Sequence, residues 1–153
     1  MKVLVARIPT EGSRLTGTQS RDILQLEEHR YIERGEDISY DFFVQRVSNE
    51  LIVRGEFSLT LSLQCSRCAE FFSTSLRVSD FLRAYSAPDG TDEVVIDEDL
   101  REEFVLQLPS FPLCEQSCAG RCVRCGVNLN EASCRCKQEE GPNPWSALDA
   151  LDI

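Results

Sequence analysis

The sequence predicts an α+β protein: an antiparallel β-sheet, able to close as a barrel, with few short helices and a cysteine-rich, zinc-binding module towards the C-terminus. Three observations carry this. Leu51, Val53, Phe57, Leu59, Leu61, Leu63 and Cys65 share one parity, and Arg54, Glu56, Ser58, Thr60, Ser62 and Gln64 share the other. Only a two-residue period puts these sets on opposite faces. Helical spacing is clear only in short stretches near 97–108 and 144–151. Six of the eight cysteines fall between positions 114 and 136.

In chain order, KVLVARI (2–8) reads as a short strand ending at Pro9, and TEGSRLTGTQS (10–20) as a polar loop. Residues 22–34 fit a strand or a short helix equally. Ile38, Tyr40, Phe42 and Val44 alternate with Ser39, Asp41, Phe43 and Gln45, giving a strand with one buried face. Ser48-Asn49-Glu50 is a turn into the long strand. Gly55 falls on that strand's buried parity and marks a bulge or bend. A new apolar set starts at Phe72 with Leu76 and Val78, so the CSRC at 65–68 lies at a hairpin tip. SAPDGTDE (86–93) is an acidic loop. Asp97 is placed to cap a helix carrying Leu100, Phe104, Val105 and Leu108, which Pro109 stops. Asn143 and Pro144 can open a last short helix with Trp145, Leu148 and Leu151 inward. The expected organisation is a β-rich domain at 1–113 bearing a hairpin-tip zinc knuckle, a cysteine-rich zinc module at 114–137 packed on it, and a tail with a short helix at 138–153.

The 153 residues suit one domain with a small appended module. There is no long apolar run, so no membrane span is expected. VLVA near the start is too short for a signal-peptide core. The expected location is therefore the cytoplasm, where thiols stay reduced. The formal net charge of −10 argues against broad nucleic-acid binding, which favours a basic surface. It is compatible with a basic protein partner, or with nucleic acid held through a small local patch.

Eight cysteines with one histidine, in a reducing compartment, favour metal over disulfides. A C-x2-C turn lets two thiolates converge on one tetrahedral ion, and Gly126 directly after Cys125 suits such a turn. Zinc fits best, because it takes four sulfur ligands. Cys122, Cys125, Cys134 and Cys136 form a self-contained unit around the loop GVNLNEAS. That leaves Cys65 and Cys68 from the hairpin tip with Cys114 and Cys118. The partition gives two closed four-cysteine sites; a single site built from the two C-x2-C pairs would strand four thiols. A closed site has no open position for water and supports no hydrolysis. A thioredoxin-like role lacks its βαβ context, and a zinc deaminase lacks its H-x-E, since His29 is followed by Arg30 and Tyr31. His29 reads as an ordinary surface residue. No catalytic triad, phosphate loop or paired-carboxylate motif is evident, so the expectation is a protein that is not an enzyme and takes no small-molecule substrate. Arg67, Arg121, Arg124 and Arg135 sit in or beside the cysteine turns. They either offset thiolate charge while solvated or form a small RNA-binding patch.

CSRC after the long alternating strand, then LPSFPLC, CAGRCVRCGVNLNEASCRC and GPNPWSALDAL, resemble the large ribosomal RNA subunit accumulation protein (YceD) family over roughly residues 50–153. Cys65, Arg67 and Cys68 match the family's hairpin-tip motif. Cys118, Gly120, Cys122, Cys125, Gly126, Asn128, Leu129 and Asn130 match its second motif, with Arg121 and Val123 standing where Leu and Pro are usual. The resemblance implies a non-enzymatic role in accumulation or processing of large-subunit ribosomal RNA in bacteria and plastids. The expected partners are ribosomal RNA or the pre-ribosomal large subunit, and a basic ribosomal protein held by the acidic body. The competing expectation is a stand-alone nucleic-acid-binding zinc ribbon acting in transcription.

Overall fold

The computed structural model describes residues 1–26 and 31–136. His29 and the short helix expected at 144–151 lie outside them. Among the described residues the strands are β1 (Lys2–Leu4), β2 (Ser13–Gln19), β3 (Ile32–Gly35), β4 (Ile38–Val47), β5 (Glu50–Gln64), β6 (Phe71–Ser86) and β7 (Glu93–Val95), followed by one α-helix, α1 (Asp97–Gln107).

The 15 residues of β5 form the spine of a five-stranded antiparallel sheet. Their alternation is realised as predicted: Leu51, Val53, Phe57, Leu59, Leu61, Leu63 and Cys65 are all buried, while their neighbours face outward. One side of β5 pairs with β6 from Glu50↔Ser86 to Gln64↔Phe71. The other side pairs with β4 along its first half and with β3 near its end. β3 and β4 lie end to end against β5, and Glu36 bridges them by donating its N–H to the Thr60 carbonyl at 3.0 Å. β2 adds on outside β4, and β1 pairs with β7 in a separate two-stranded ribbon.

The sheet does not close into a barrel. Among the described residues no ladder joins β2 to β6, so both remain edges. The apolar face is instead covered by α1, a 3-10 turn at Arg21–Leu24 and the β1–β7 ribbon. Leu100 and Phe104 of α1 reach a core in which Phe42, Phe57 and Phe81 meet ring to ring, with centroids 5.4–6.2 Å apart. Once one face is filled by helix and ribbon, closure is no longer needed to bury it.

Gly55 marks a bulge, as its parity predicts. Gly55 pairs with Phe81 and Phe57 with Val78, so Glu56 faces both Ser79 and Asp80. The glycine has φ +148°, and a Cβ there would collide with the Asp41 carbonyl oxygen. The extra residue lies on β6 and shifts its parity, which places buried Val78 and Phe81 three positions apart.

Three local expectations change. Residues 13–19 form β2 rather than loop; the strand is polar because it is an edge whose pairing rests on backbone, in register from Ser13↔Val44 to Gln19↔Ile38. The first strand stops at Leu4, and Val5–Arg7 turn as a 3-10 helix. Asp97 does not cap α1: Ile96 is the N-cap, without a side-chain bond, and Asp97 is the first helical residue. Its carboxylate there still complements the helix dipole.

Candidate metal centres

The β5–β6 hairpin ends in CSRCAE. Cys65 donates its N–H to the Glu70 carbonyl at 2.8 Å, and Ala69 donates to the Cys65 carbonyl at 2.9 Å. This folds the chain back on itself and sets Ala69 at φ +59°, where glycine is more at ease. The Arg67 N–H points to the Cys65 sulfur at 3.4 Å. After α1 and Pro109 the chain returns to this tip. Ser66 donates to the Pro112 carbonyl at 2.8 Å, and the Arg67 guanidinium donates to the carbonyls of Gln116 (2.9 Å) and Cys118 (3.1 Å). The outcome is an inner quartet, Cys65, Cys68, Cys114 and Cys118, with all four sulfurs within 4.8 Å of one another. Cys65, Cys68 and Cys118 are buried and Cys114 is half-buried.

The outer quartet repeats the same turn. In CVRCG, Gly126 at φ +74° donates to the Cys122 carbonyl at 2.8 Å. Cys134 and Cys136 close the group after the intervening loop, and the Cys136 N–H meets the Cys134 sulfur at 3.2 Å. Cys122, Cys125, Cys134 and Cys136 again lie within 4.8 Å, but here Cys125 is exposed and the others half-buried. The sulfurs therefore gather in the two groups that locality predicts.

A short seam joins the quartets. Arg121 donates its N–H to the Arg67 carbonyl at 3.1 Å, its Nε to the Cys68 carbonyl, and pairs with Glu70 at 2.8 Å. Leu129 donates to the Gly120 carbonyl at 2.8 Å. Gly120 has φ +75°, and a Cβ there would sit 3.1 Å from the Arg67 carbonyl oxygen. Asn130 accepts from the Ala119 N–H at 2.7 Å and donates its amide to the Cys118 sulfur at 3.3 Å. Residues of the outer loop thus support a ligand of the inner group. Asn130 stands in the N-x-N that follows CG in the sequence, but its reach back to Cys118 could not be read there.

The sulfurs are not electrostatically equal. Burial resists ionisation of Cys65, but the N–H groups of Cys68, Cys114 and Arg67 outweigh it and bring the thiol down to about 6. Burial, reinforced by the surrounding sulfurs, pushes Cys114 up to about 12. The Asn130 amide lowers Cys118. In the outer group the N–H groups of Cys125 and Arg124 bring Cys122 down to about 6, while hydrogen bonding with Cys134 and Cys125 pushes Cys136 up to about 12. The inner quartet thus favours thiolates on Cys65 and Cys118 and resists charge on Cys68 and Cys114, while the outer favours one on Cys122 and resists charge on Cys134 and Cys136. Gathering further negative charge in either group is the problem that a bound cation solves.

The distances fit zinc. Tetrahedral Zn–S bonds of about 2.3 Å require sulfurs about 3.8 Å apart. The inner pairs Cys65–Cys118 and Cys68–Cys114 lie at 3.9 and 3.8 Å. The outer pair Cys122–Cys134, at 3.3 Å, needs only a small opening. With four protein sulfurs each, neither group leaves a coordination position for water.

All four arginines are exposed; Arg67 and Arg121 direct their side chains to the seam, and Arg124 and Arg135 lie beside the outer group. Among the described residues no helix is long and apolar enough to cross a membrane.

Residues 84–152 match the family model described as large ribosomal RNA subunit accumulation protein YceD. The chain is 31% identical over 64 residues to the chloroplastic large ribosomal RNA subunit accumulation protein YCED homolog 1 of Arabidopsis thaliana, covering 42% of this chain and 20% of that protein. It is 35% identical over 112 residues to an uncharacterized protein of Mycobacterium tuberculosis and 30% identical over 112 residues to one of Mycobacterium leprae, each match covering 64% of this chain. The chain spans about half the length of these mycobacterial relatives, at 54% and 52%. No solved structure matches.

Proposed function

Over residues 84–152 this chain belongs to the YceD family, and from that premise we propose that it supports accumulation or processing of large-subunit ribosomal RNA as a non-enzymatic assembly factor in the cytoplasm. The observation that carries the reading is the family match, which spans both returning cysteine pairs and the N-x-N segment. In this reading each quartet holds one zinc ion. Cys65, Cys68, Cys114 and Cys118 tie the C-terminal segment to the sheet, and Cys122, Cys125, Cys134 and Cys136 shape the outer loop. The role of zinc is structural: it neutralises converging thiolates and fixes the two turns. The partner is the pre-ribosomal large subunit, met through its RNA or through a basic ribosomal protein that suits a chain of net charge −10.

The transcriptional zinc-ribbon alternative needs arginines free to meet phosphates. Arg67 and Arg121 are engaged with carbonyls and Glu70, which weighs against it. The test is deletion of the gene, followed by sucrose-gradient profiles and quantification of large-subunit ribosomal RNA. Expected are a loss of large subunits and of their RNA, restored by the wild-type gene. Normal profiles and RNA levels in the deletion strain overturn the proposal.

A further inference from the structure

Beside the inner quartet the structure leaves a groove of about 610 Å³. Leu63 at the end of β5 lies in it, Val105 and Leu108 of α1 form one wall, and Phe111 and Pro112 of the returning segment form the other. The Cys65–Ala69 turn closes one end. Apolar surface stands open around it: Phe111 is 79% exposed, and neighbouring Leu106 is 72% exposed. An exposed phenylalanine on a wall of such a groove is a feature of binding surfaces.

Charge indicates the occupant. Upstream on α1, Glu98 and Glu102 lie at helical spacing from Val105 and are exposed. The other acids of the helix turn to internal partners, Asp97 to the N-terminal ammonium, Asp99 to Tyr85 and Arg83, and Glu103 to Arg83. Glu98 and Glu102 make no ion pair among the described residues. Both carboxylates lie on the helix upstream of the groove rather than in its lining, and the intervening Arg101 turns to the Leu24 carbonyl. An apolar slot approached past two carboxylates without an ion pair, on a chain of net charge −10, repels phosphate backbones and repels a second copy of itself. It suits an apolar side chain flanked by lysine or arginine.

We propose that this groove is the docking site for a basic protein segment that inserts an apolar anchor between α1 and Phe111 and sets its cations against Glu98 and Glu102. The proposal rests on the ribosomal reading for the partner's class and gives that partner a seat. The groove also depends on the inner quartet, because Cys114 and the Ser66–Pro112 bond hold its outer wall.

The test uses the full zinc-loaded chain and a fluorescein-labelled peptide with a central Phe-Leu pair flanked by lysines, read by anisotropy; a glutamate-flanked version is the control. Expected is saturable binding of the lysine peptide that weakens about tenfold or more in Phe111→Ala. In Glu98→Gln/Glu102→Gln the binding weakens and its salt dependence flattens. Both changes are at exposed positions, and circular dichroism checks that each variant folds. Equal binding of both peptides, or binding indifferent to Phe111→Ala, overturns the proposal. So does a peptide bound only after removal of residues 138–153, a dimer that Phe111→Ala disperses, or displacement of the peptide by a single-stranded RNA oligonucleotide. None of these results depends on ribosomal RNA levels in cells, so the two proposals can fail separately.

Discussion

Removing one ligand from each quartet should have unequal effects. The inner group joins Cys68 to Cys114, 46 positions apart, and so ties the hairpin tip to the segment after α1. The outer group joins Cys122 to Cys134, only 12 apart. On the chain-entropy model for a covalent link, closing loops of these lengths is worth about 4 and about 3 kcal/mol respectively. Only the first sum is shared with the sheet, because the outer loop encloses no strand of it. Cys114→Ala is therefore expected to lower the urea-unfolding free energy of the sheet, followed by far-UV circular dichroism, by about 4 kcal/mol. Cys125→Ala should leave that transition within about 1 kcal/mol of wild type while removing half of the bound zinc, measured by plasma mass spectrometry after dialysis against a weak chelator. The reasoning fails if Cys125→Ala empties both groups, or if Cys114→Ala leaves the sheet as stable as before.

Three further outcomes follow from the geometry. Asn130→Asp keeps an oxygen for the Ala119 N–H but loses the amide donor to the Cys118 sulfur, so zinc affinity of the inner group should fall about 10- to 100-fold in competition with a chromogenic chelator; unchanged affinity would discard a supporting role for Asn130. Ala69→Gly relieves a residue at φ +59° and should stabilise the protein by about 0.5–1 kcal/mol in denaturant titration, whereas Gly126→Ala, at φ +74°, should destabilise it by a similar amount. Gly55→Ala should cost more than about 3 kcal/mol, because it combines an unfavourable φ with a collision against the Asp41 carbonyl; a thermal shift of only a degree or two would refute that account of the bulge.

The sequence was most legible where information is local. The alternation of Leu51–Cys65 reports a half-buried strand directly, and Gly55 stands out because it interrupts that parity. The split of the cysteines was readable for a similar reason: the four from Cys122 to Cys136 lie within one short loop, which leaves the remaining four for each other. What escaped depends on partners far along the chain. β2 is polar because its pairing with β4 uses backbone groups, so SRLTGTQ gives no apolar signal. The short ribbon of β1 with β7 joins residues some 90 positions apart, and it removes the reason for the sheet to close. Arg67 and Arg121 looked equivalent to Arg124 and Arg135, yet the seam between the quartets engages the first two. Asp97 has the right residue type for a cap and is displaced by one position.

The differing reach of the two groups also bears on how the chain matures as it is synthesised. Cys68 leaves the ribosome 46 residues before Cys114, and Cys65 earlier still, so the hairpin tip must wait with two uncommitted thiols. All four inner thiols emerge before Cys136, so the order turns on zinc: where it is scarce both groups wait until Cys136 is out, and the outer loop then closes first because short loops search less space. Its closure sets Leu129 against Gly120 and Asn130 against Ala119, and this holds Cys118 at the edge of the seam. The outer group then acts as a jig for assembling the inner one. In a pulse-chase experiment with limiting zinc, the first protease-resistant fragment is expected to be the C-terminal loop, with protection of the sheet following later.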